Sequence, residues 1–186
     1  FRQIVDWRFG GFDGVGRMLD FACGYGRMTR WLVQEMAPSR VWVSDIDESA
    51  VAFQRRSFGV HGFVSAADPG RIACDERFDL VVVASLFSHL PRHRFQGMLE
   101  RLFSMLAPDG LLVFTVHDEL FLTGRPMPAD GIAFIPHSES QHLAVSDYGT
   151  TFVTETFVRT MIAAVAGAGW PYRRLRRGLC GHQDIY

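Results

Sequence analysis

The sequence predicts a doubly wound α/β fold: one domain over residues 1–186, built on a mostly parallel, seven-stranded sheet. Three observations predict it. Short apolar runs alternate with segments of helical periodicity along the first two thirds of the chain, the pattern of strands joined by right-handed helical crossovers. Two of these runs, 78–84 and 111–116, are rich in β-branched residues and apolar almost throughout, as suits parallel strands covered on both faces. A glycine-containing turn follows the first run and opens a helix, the place where open α/β sheets bind ligands.

The elements follow in order. Arg17 to Ala22 reads as a buried strand, and Arg27 to Met36 as a helix, with Met28, Trp31, Leu32, Glu35 and Met36 at helical spacings and Pro38 as its stop. Val41 to Val43 is the second strand. Glu48 to Phe58 is the second helix, with Gly59 placed to cap its end. Gly62 to Ala66 gives a weaker strand signal and Phe78 to Ala84 a strong one. Pro91 to Leu106 is an amphipathic helix with Phe95, Met98, Leu99, Leu102, Phe103 and Leu106 along one stripe. Asp109-Gly110 turns the chain into the strand Leu111 to Val116. Residues 118–150 hold Gly, Pro, Ser and Asp turns with short apolar pieces such as Ile132 to Ile135; an insertion of this length after strand five suggests a substrate lid. Phe157 to Ala168 resumes as a helix, and Tyr172 to Leu179 and Gly181 to Tyr186 read as closing strands.

Composition narrows the function. With 48% apolar and 21% charged residues, the 186-residue chain has the make-up of an ordinary globular domain that needs neither disulfide nor metal to hold a core. A net charge of −1 supplies no field for nucleic acid or an anionic membrane, and no apolar stretch, Leu80 to Phe87 among them, comes near the length that spans a bilayer. All 19 basic residues are arginine. The absence of lysine removes Schiff-base chemistry and the Walker lysine. Cys23, Cys74 and Cys180 form no CxxC pair, and are expected to be small buried hydrophobes in a cytoplasmic protein.

The chemistry concentrates on Asp20-Phe21-Ala22-Cys23-Gly24-Tyr25-Gly26-Arg27, where glycines let a ligand approach the backbone and the following helix offers free N–H groups. A dinucleotide fingerprint would place a third glycine at position 29, where Thr29 stands, and would set Asp20 beside a pyrophosphate. A ligand carrying both an ammonium and a carboxylate suits the turn better. Asp45, 19 residues beyond Gly26, closes strand two where an acid accepts bonds from ribose hydroxyls, and Asp68 closes strand three where it can meet an adenine edge. An amino acid joined to adenosine is S-adenosyl-L-methionine.

LDFACGYGRMTRWL resembles motif I of the class I S-adenosylmethionine-dependent methyltransferases. VWVSDIDESAV resembles the second motif, and AAD followed by FDLVVVASLFSHLP the third and fourth, in order over roughly residues 15 to 118. The resemblance implies a Rossmann-like methyltransferase fold. It further implies that Asp20, Ala22, Gly24 and Gly26 line the methionine end, Asp45 holds the ribose, Ile46 packs on the adenine and Asp68 lies near its amino group. Ala22 replaces the family's first glycine, and a slightly altered loop is expected.

The resemblance also bears on the acceptor. The Asn/Asp-Pro-Pro-aromatic run of the family's amino-methylating DNA and glutamine enzymes is missing after strand four, where Ser85-Leu86-Phe87-Ser88-His89 stands. The Pro-Cys of the cytosine-5 enzymes and the magnesium ligands of the catechol type are missing too. The expectation is a metal-independent, cytoplasmic methyltransferase for a small molecule, acting on the oxygen of a sugar or other hydroxylated metabolite and binding neither nucleic acid nor membrane. Oxygen needs a base. His117, at the end of strand five and followed by Asp118 and Glu119, is the first candidate, and His89 the second. His137 and His142 in the lid, and His61, His93 and His182, read as surface or packing residues. Arg173, Arg174, Arg176 and Arg177 read as a solvated edge strand. The alternative is an inactive member of the same fold serving as a binding or regulatory module; retention of both Asp20 and Asp45 argues against it.

Overall fold

The computed structural model describes residues 1–137 and 146–186, which fall into two compact units. The first comprises residues 1–66, 71–82 and 105–112, and the second residues 67–70, 83–104 and 113–186.

In the first unit, helix α1 (Arg2–Phe9) precedes strand β1 (Met18–Phe21), helix α2 (Thr29–Glu35), strand β2 (Val41–Asp45), helix α3 (Glu48–Phe58) and strand β3 (His61–Val64). Strand β4 (Phe78–Val83) contributes all but its last residue. The strand order β3-β2-β1-β4 is parallel at every step, with Asp20 level with Val43 on one side and Val82 on the other. Every residue of β1 is buried, and Val41, Val43 and Leu80 join it in the core, as the unbroken apolar runs require. β3 is half-buried to exposed along its length, which is why its sequence signal is weak. Its Gly62 lets it close on β2 and α3: a Cβ there would come within 3.0 Å of Val43 and Val51.

Asp47 starts α3 by accepting from the Ser49 and Ala50 N–H groups at 2.8 and 3.4 Å, and Gly59 ends it in the left-handed conformation at φ 69°. α2 begins at Thr29, two residues later than expected, because residues 24–28 form turns. Helix α1 is absent from the sequence expectation. It buries only Val5, so no apolar stripe announces it.

The second unit holds helix α4 (Arg92–Ser104), the later part of strand β5 (Leu106–Asp118), strands β6 (Ile132–Pro136) and β7 (Gly149–Val153), helix α5 (Glu155–Ala166), and strands β8 (Leu175–Leu179) and β9 (Gln183–Ile185). β7 runs parallel to β5, whereas β6 pairs antiparallel with β7, β9 with β5 and β8 with β9. The core is aromatic: Phe87 meets Phe95 and Phe114 at ring separations of 4.7 and 4.9 Å, and Phe95 joins α4 to Phe157 of α5 at 5.1 Å.

The described residues contain nine strands where the sequence suggests seven. The two additions, β6 and β7, come largely from the segment expected to be a lid. β7 alternates buried and half-buried residues around Thr151, which is fully buried and donates to the Leu90 carbonyl at 2.6 Å. A buried threonine supplies no apolar signal. The lid expectation covers residues 138–145, including His142, which lie outside the described residues.

Two further expectations change. Cys23 is buried, but Cys74 is half-buried and Cys180 exposed. Arg174 is not solvated: its side chain, 10% exposed, is ion-paired with Asp118, Asp184 and Glu155. The two aspartates lie on β5 and β9, so the arginine neutralises carboxylates that the strand pairing buries.

Candidate functional site

In the first unit the turn after β1 is held from several directions. The Cys23 N–H donates to the Ser44 carbonyl at 3.1 Å. The Gly24 N–H donates to Asp45 Oδ2 at 2.8 Å, while Gln54 Nε2 donates to the Gly24 carbonyl at 2.7 Å. Both ends of this residue are therefore fixed, by an acid at the end of β2 and an amide on α3. Gly24 has φ 49°, and nothing lies within 4 Å of the place a Cβ would take. The open side is an approach to the backbone that glycine provides.

Gly26 is a glycine for a different reason. Its φ is 87°, and a Cβ would stand 2.7 Å from the Phe58 ring and 3.2 Å from the Gln54 amide. It serves packing of the turn against α3. Ala22, at φ 57°, takes the left-handed conformation that a glycine adopts without strain. An alanine holds that conformation here, at the position where the family pattern has its first glycine.

Asp20 is 2% exposed and accepts from the Thr29 hydroxyl at 2.7 Å. Burial pushes its carboxyl up to about 7; the Thr29 hydrogen bond opposes this and the Asp45 carboxylate adds to it. Its own burial, with the same two carboxylates adding to it, raises the Cys23 thiol, which is no thiolate nucleophile. Asp45 also accepts from the Asp47 N–H through Oδ1 at 3.0 Å. Ile46, next to it, is half-buried. Tyr25 is exposed, stacks obliquely on Phe53 at 5.6 Å and donates to Asp47 at 3.3 Å.

The structure thus gathers Asp20, Ala22, Gly24, Gly26, Asp45 and Ile46 in one unit. Asp68 belongs to the second unit, is exposed, and stands four residues beyond the end of β3 rather than closing it. Its Oδ1 accepts from the Gly70 N–H at 3.0 Å and shapes the turn there. Gln54 and Thr29 escaped the sequence reading. Gln54 is fully buried, and its Oε1 has no hydrogen-bond partner; a lone buried amide on a helix carries no pattern that would flag it.

In the second unit, the turn that follows β4 carries His89, six residues past the end of that strand, and the end of β5 carries His117; their ring centroids lie 6.2 Å apart. His89 Nδ1 lies 2.7 Å from the Gly149 carbonyl. A carbonyl accepts only, so Nδ1 carries the proton and Nε2 the lone pair. The ring stacks on Tyr148 at 4.7 Å and 13°. His117 is arranged the other way: its Nε2 faces the Gln183 amide nitrogen at 3.3 Å, and its Nδ1 is buried without a hydrogen-bond partner. Burial and the neighbouring His89 hold the His117 pKa below the ordinary histidine range, with a backbone group of Thr151 opposing.

Around them lies a network of neutral polar side chains. Gln183 Oε1 accepts from Thr115 at 2.5 Å and Ser85 at 3.2 Å, and Thr115 Oγ1 accepts from the Ser85 N–H at 2.8 Å. Ser85 has φ 63°, a conformation non-glycine residues reach only at a cost, found disproportionately at functional sites. These residues come from three distant stretches, so no local motif marks them.

The other histidines serve contacts: His61 stacks on Trp42 at 4.8 Å, His93 faces Asp147 at 3.1 Å, and His182 meets the Phe121 ring edge at 6.1 Å. Among the described residues no group of three or more His, Cys, Asp or Glu side chains is placed to hold a metal ion, and no helix is long and apolar enough to cross a membrane.

Comparison with known proteins bears on the fold and the family. Residues 18–110 match the model of a family described as a methyltransferase domain. The chain is 28% identical over 100 residues to malonyl-[acyl-carrier protein] O-methyltransferase of Bacillus cereus, covering 53% of this chain and 36% of that one. The chain spans about a third to a half of the length of the curated relatives it matches. Among solved structures, the DhpI-SAM-HEP complex superposes with a TM-score of 0.64 at 18% identity, over 91% of this chain and 76% of that one. The Burkholderia thailandensis 1,6-didemethyltoxoflavin-N1-methyltransferase, with bound 1,6-didemethyltoxoflavin and S-adenosylhomocysteine, gives the same TM-score and identity over 99% and 73%. A mostly parallel sheet flanked by helices, a glycine turn after β1 and this family match together establish that the chain belongs to the class I S-adenosylmethionine-dependent methyltransferases.

Proposed function

We propose that this chain binds S-adenosyl-L-methionine at the turn after β1 and transfers its methyl group to an oxygen of a small hydroxylated acceptor, such as a sugar. The observation that carries the reading is Gly24, whose N–H and carbonyl are fixed by Asp45 and Gln54 while its Cα side stays open. The residues present fit the cofactor. The open glycine admits the methionine end, Asp20 has no arginine or histidine partner among the described residues and can take an ammonium, and Asp45 keeps lone pairs for ribose hydroxyls.

The cofactor, when bound, supplies a methyl group on a positive sulfur. The protein aligns the acceptor and removes its proton. Asp20 acts as a buried charge, Gly24 and Gly26 shape the turn, Ala22 continues it in the left-handed conformation, and Ile46 offers an apolar face to the adenine. His89 and His117 are the proposed bases. The tautomer that the Gly149 carbonyl imposes, with its lone pair on Nε2, supports His89 ahead of His117, whose Nε2 is engaged by Gln183. The relatives named above act on oxygen in one case and nitrogen in another; a histidine base favours oxygen, whose proton must leave.

Calorimetric titration with S-adenosylhomocysteine tests the reading. Saturable one-to-one binding is expected in the parent and none in Gly24→Val, whose side chain fills the open approach and strains the turn at φ 49°, with circular dichroism to verify that the variant is folded. Equal affinity of the two would show that the cofactor lies elsewhere.

A further inference from the structure

We propose that Thr29 is a positioning residue for the ligand's ammonium: its hydroxyl holds the Asp20 carboxyl in a buried place without a cation, and ligand binding draws the proton off that carboxyl. The inference rests on the reading that the turn after β1 binds S-adenosylmethionine.

The geometry that carries it lies within the first unit. Asp20 sits mid-sheet between β2 and β4, level with Val43 and Val82, and is 2% exposed. From α2 it meets Thr29, itself fully buried, at 2.7 Å. From β2 the charged neighbour is Asp45, and from the turn the titratable one is Cys23. Among the described residues, the polar and titratable groups that act on Asp20 are thus one hydroxyl donor, one carboxylate and one thiol. A carboxyl buried beside another carboxylate keeps its proton toward neutrality, in keeping with the upward push already described. An arriving ammonium reverses the balance, since an opposite charge within a few ångströms lowers a carboxyl pKa by about 1–3 units. The proton leaves Asp20 for solvent, and the ionised carboxylate keeps the Thr29 hydrogen bond, which favours the charged form. Thr29 therefore does two things: it fixes which way the carboxyl faces, and it sets the pH at which the site becomes ready.

The test is calorimetric titration with S-adenosylhomocysteine from pH 5.5 to 9, in two buffers of different ionisation enthalpy. The expected parent profile is strongest near pH 8 and weakens by about tenfold per pH unit below neutrality. About half a proton is released per ligand bound at pH 7; toward pH 9 the count turns to uptake, because the free ligand's own amino group loses its proton there and is bound as the ammonium. Thr29→Val is expected to move the profile upward by about one pH unit while reaching nearly the parent affinity at pH 9, and Thr29→Ser to restore the parent profile. Asp20→Asn is expected to bind more weakly, with no proton release at pH 6–7. Binding that is independent of pH and buffer, or a Thr29→Val profile superposed on the parent's, overturns the inference while leaving the cofactor assignment intact. No saturable binding by the parent at pH 8.5 overturns that assignment and the inference with it. Should Thr29→Val fail to fold, the proton count on the parent and on Thr29→Ser still decides.

Discussion

At residue scale the site divides into positions that chemistry marks and positions that only folding reveals. Asp20 and Asp45 are legible because an acid at each strand end, spaced around a glycine turn, has few structural uses. Gly24 and Gly26 look equivalent in sequence, yet one is open to a ligand and the other is packed against Phe58; the difference lies in α3, which the turn itself does not encode. Thr29 is read in the sequence only as a missing glycine, and the structure makes it the partner of Asp20. Two predictions belong here. His89→Ala is expected to lower kcat by about 10²–10⁴-fold with S-adenosylhomocysteine affinity kept, and His117→Ala to lower it much less; steady-state kinetics on an accepted substrate, with calorimetry beside it, decides between them. Ala22→Gly is expected to raise stability by about 1 kcal/mol, since a non-glycine residue at φ 57° carries roughly that strain, read from the urea midpoint.

At element scale legibility tracks how completely a segment's faces are buried. α4, for which the sequence predicts 91–106, spans 92–104, because its stripe of Phe95, Met98, Leu99 and Leu102 is buried. α3 agrees at both ends, since Asp47 and Gly59 are capping residues in the positions that capping demands. By contrast α1 has one buried residue, β3 none, and β7 hides a threonine, so period and hydrophobicity say little. The expected start of the fifth strand at Leu111 falls inside β5, which begins at Leu106 and passes through Asp109 at φ 61°; the Asp-Gly pair bends the chain without ending the strand. The packing makes its own prediction. Phe95 is fully buried between Phe87 and Phe157, so Phe95→Ala is expected to cost about 3–5 kcal/mol in denaturant unfolding, whereas Phe103→Ala, at a half-buried place on the same helix, costs less.

At the scale of the whole molecule, fold class and family follow from the order of strands, helices and motifs, which local ambiguity in β3 or α1 does not disturb. The residues that complete the polar network, Ser85, Thr115 and Gln183, are brought together by strand pairing over nearly a hundred positions of sequence, a distance no motif spans. Charge tells a similar story: the arginines at 173–177 look alike in the sequence, and only the pairing of β9 with β5 shows that Arg174 faces inward to Asp118 and Asp184. Global stability should carry the mark of Asp20. Its carboxyl is raised to about 7 when folded from 3.8, so the folded state binds the extra proton between those values, and stability falls as pH rises through that window. The slope from this group is at most about 1.4 kcal/mol per pH unit. Asp20→Asn lacks the penalty and is expected to gain on the parent from pH 4 to pH 8 in thermal unfolding; a constant gap would contradict the assignment.

The double hold on Gly24 also bears on time. With its N–H tied to Asp45 and its carbonyl to Gln54 before any ligand arrives, the turn has little conformational entropy left to lose on association. For the cofactor placement proposed above, encounter rather than loop ordering is then expected to set the on-rate, and ligands that differ in how well they fill the open side of Gly24 are expected to differ chiefly in residence time.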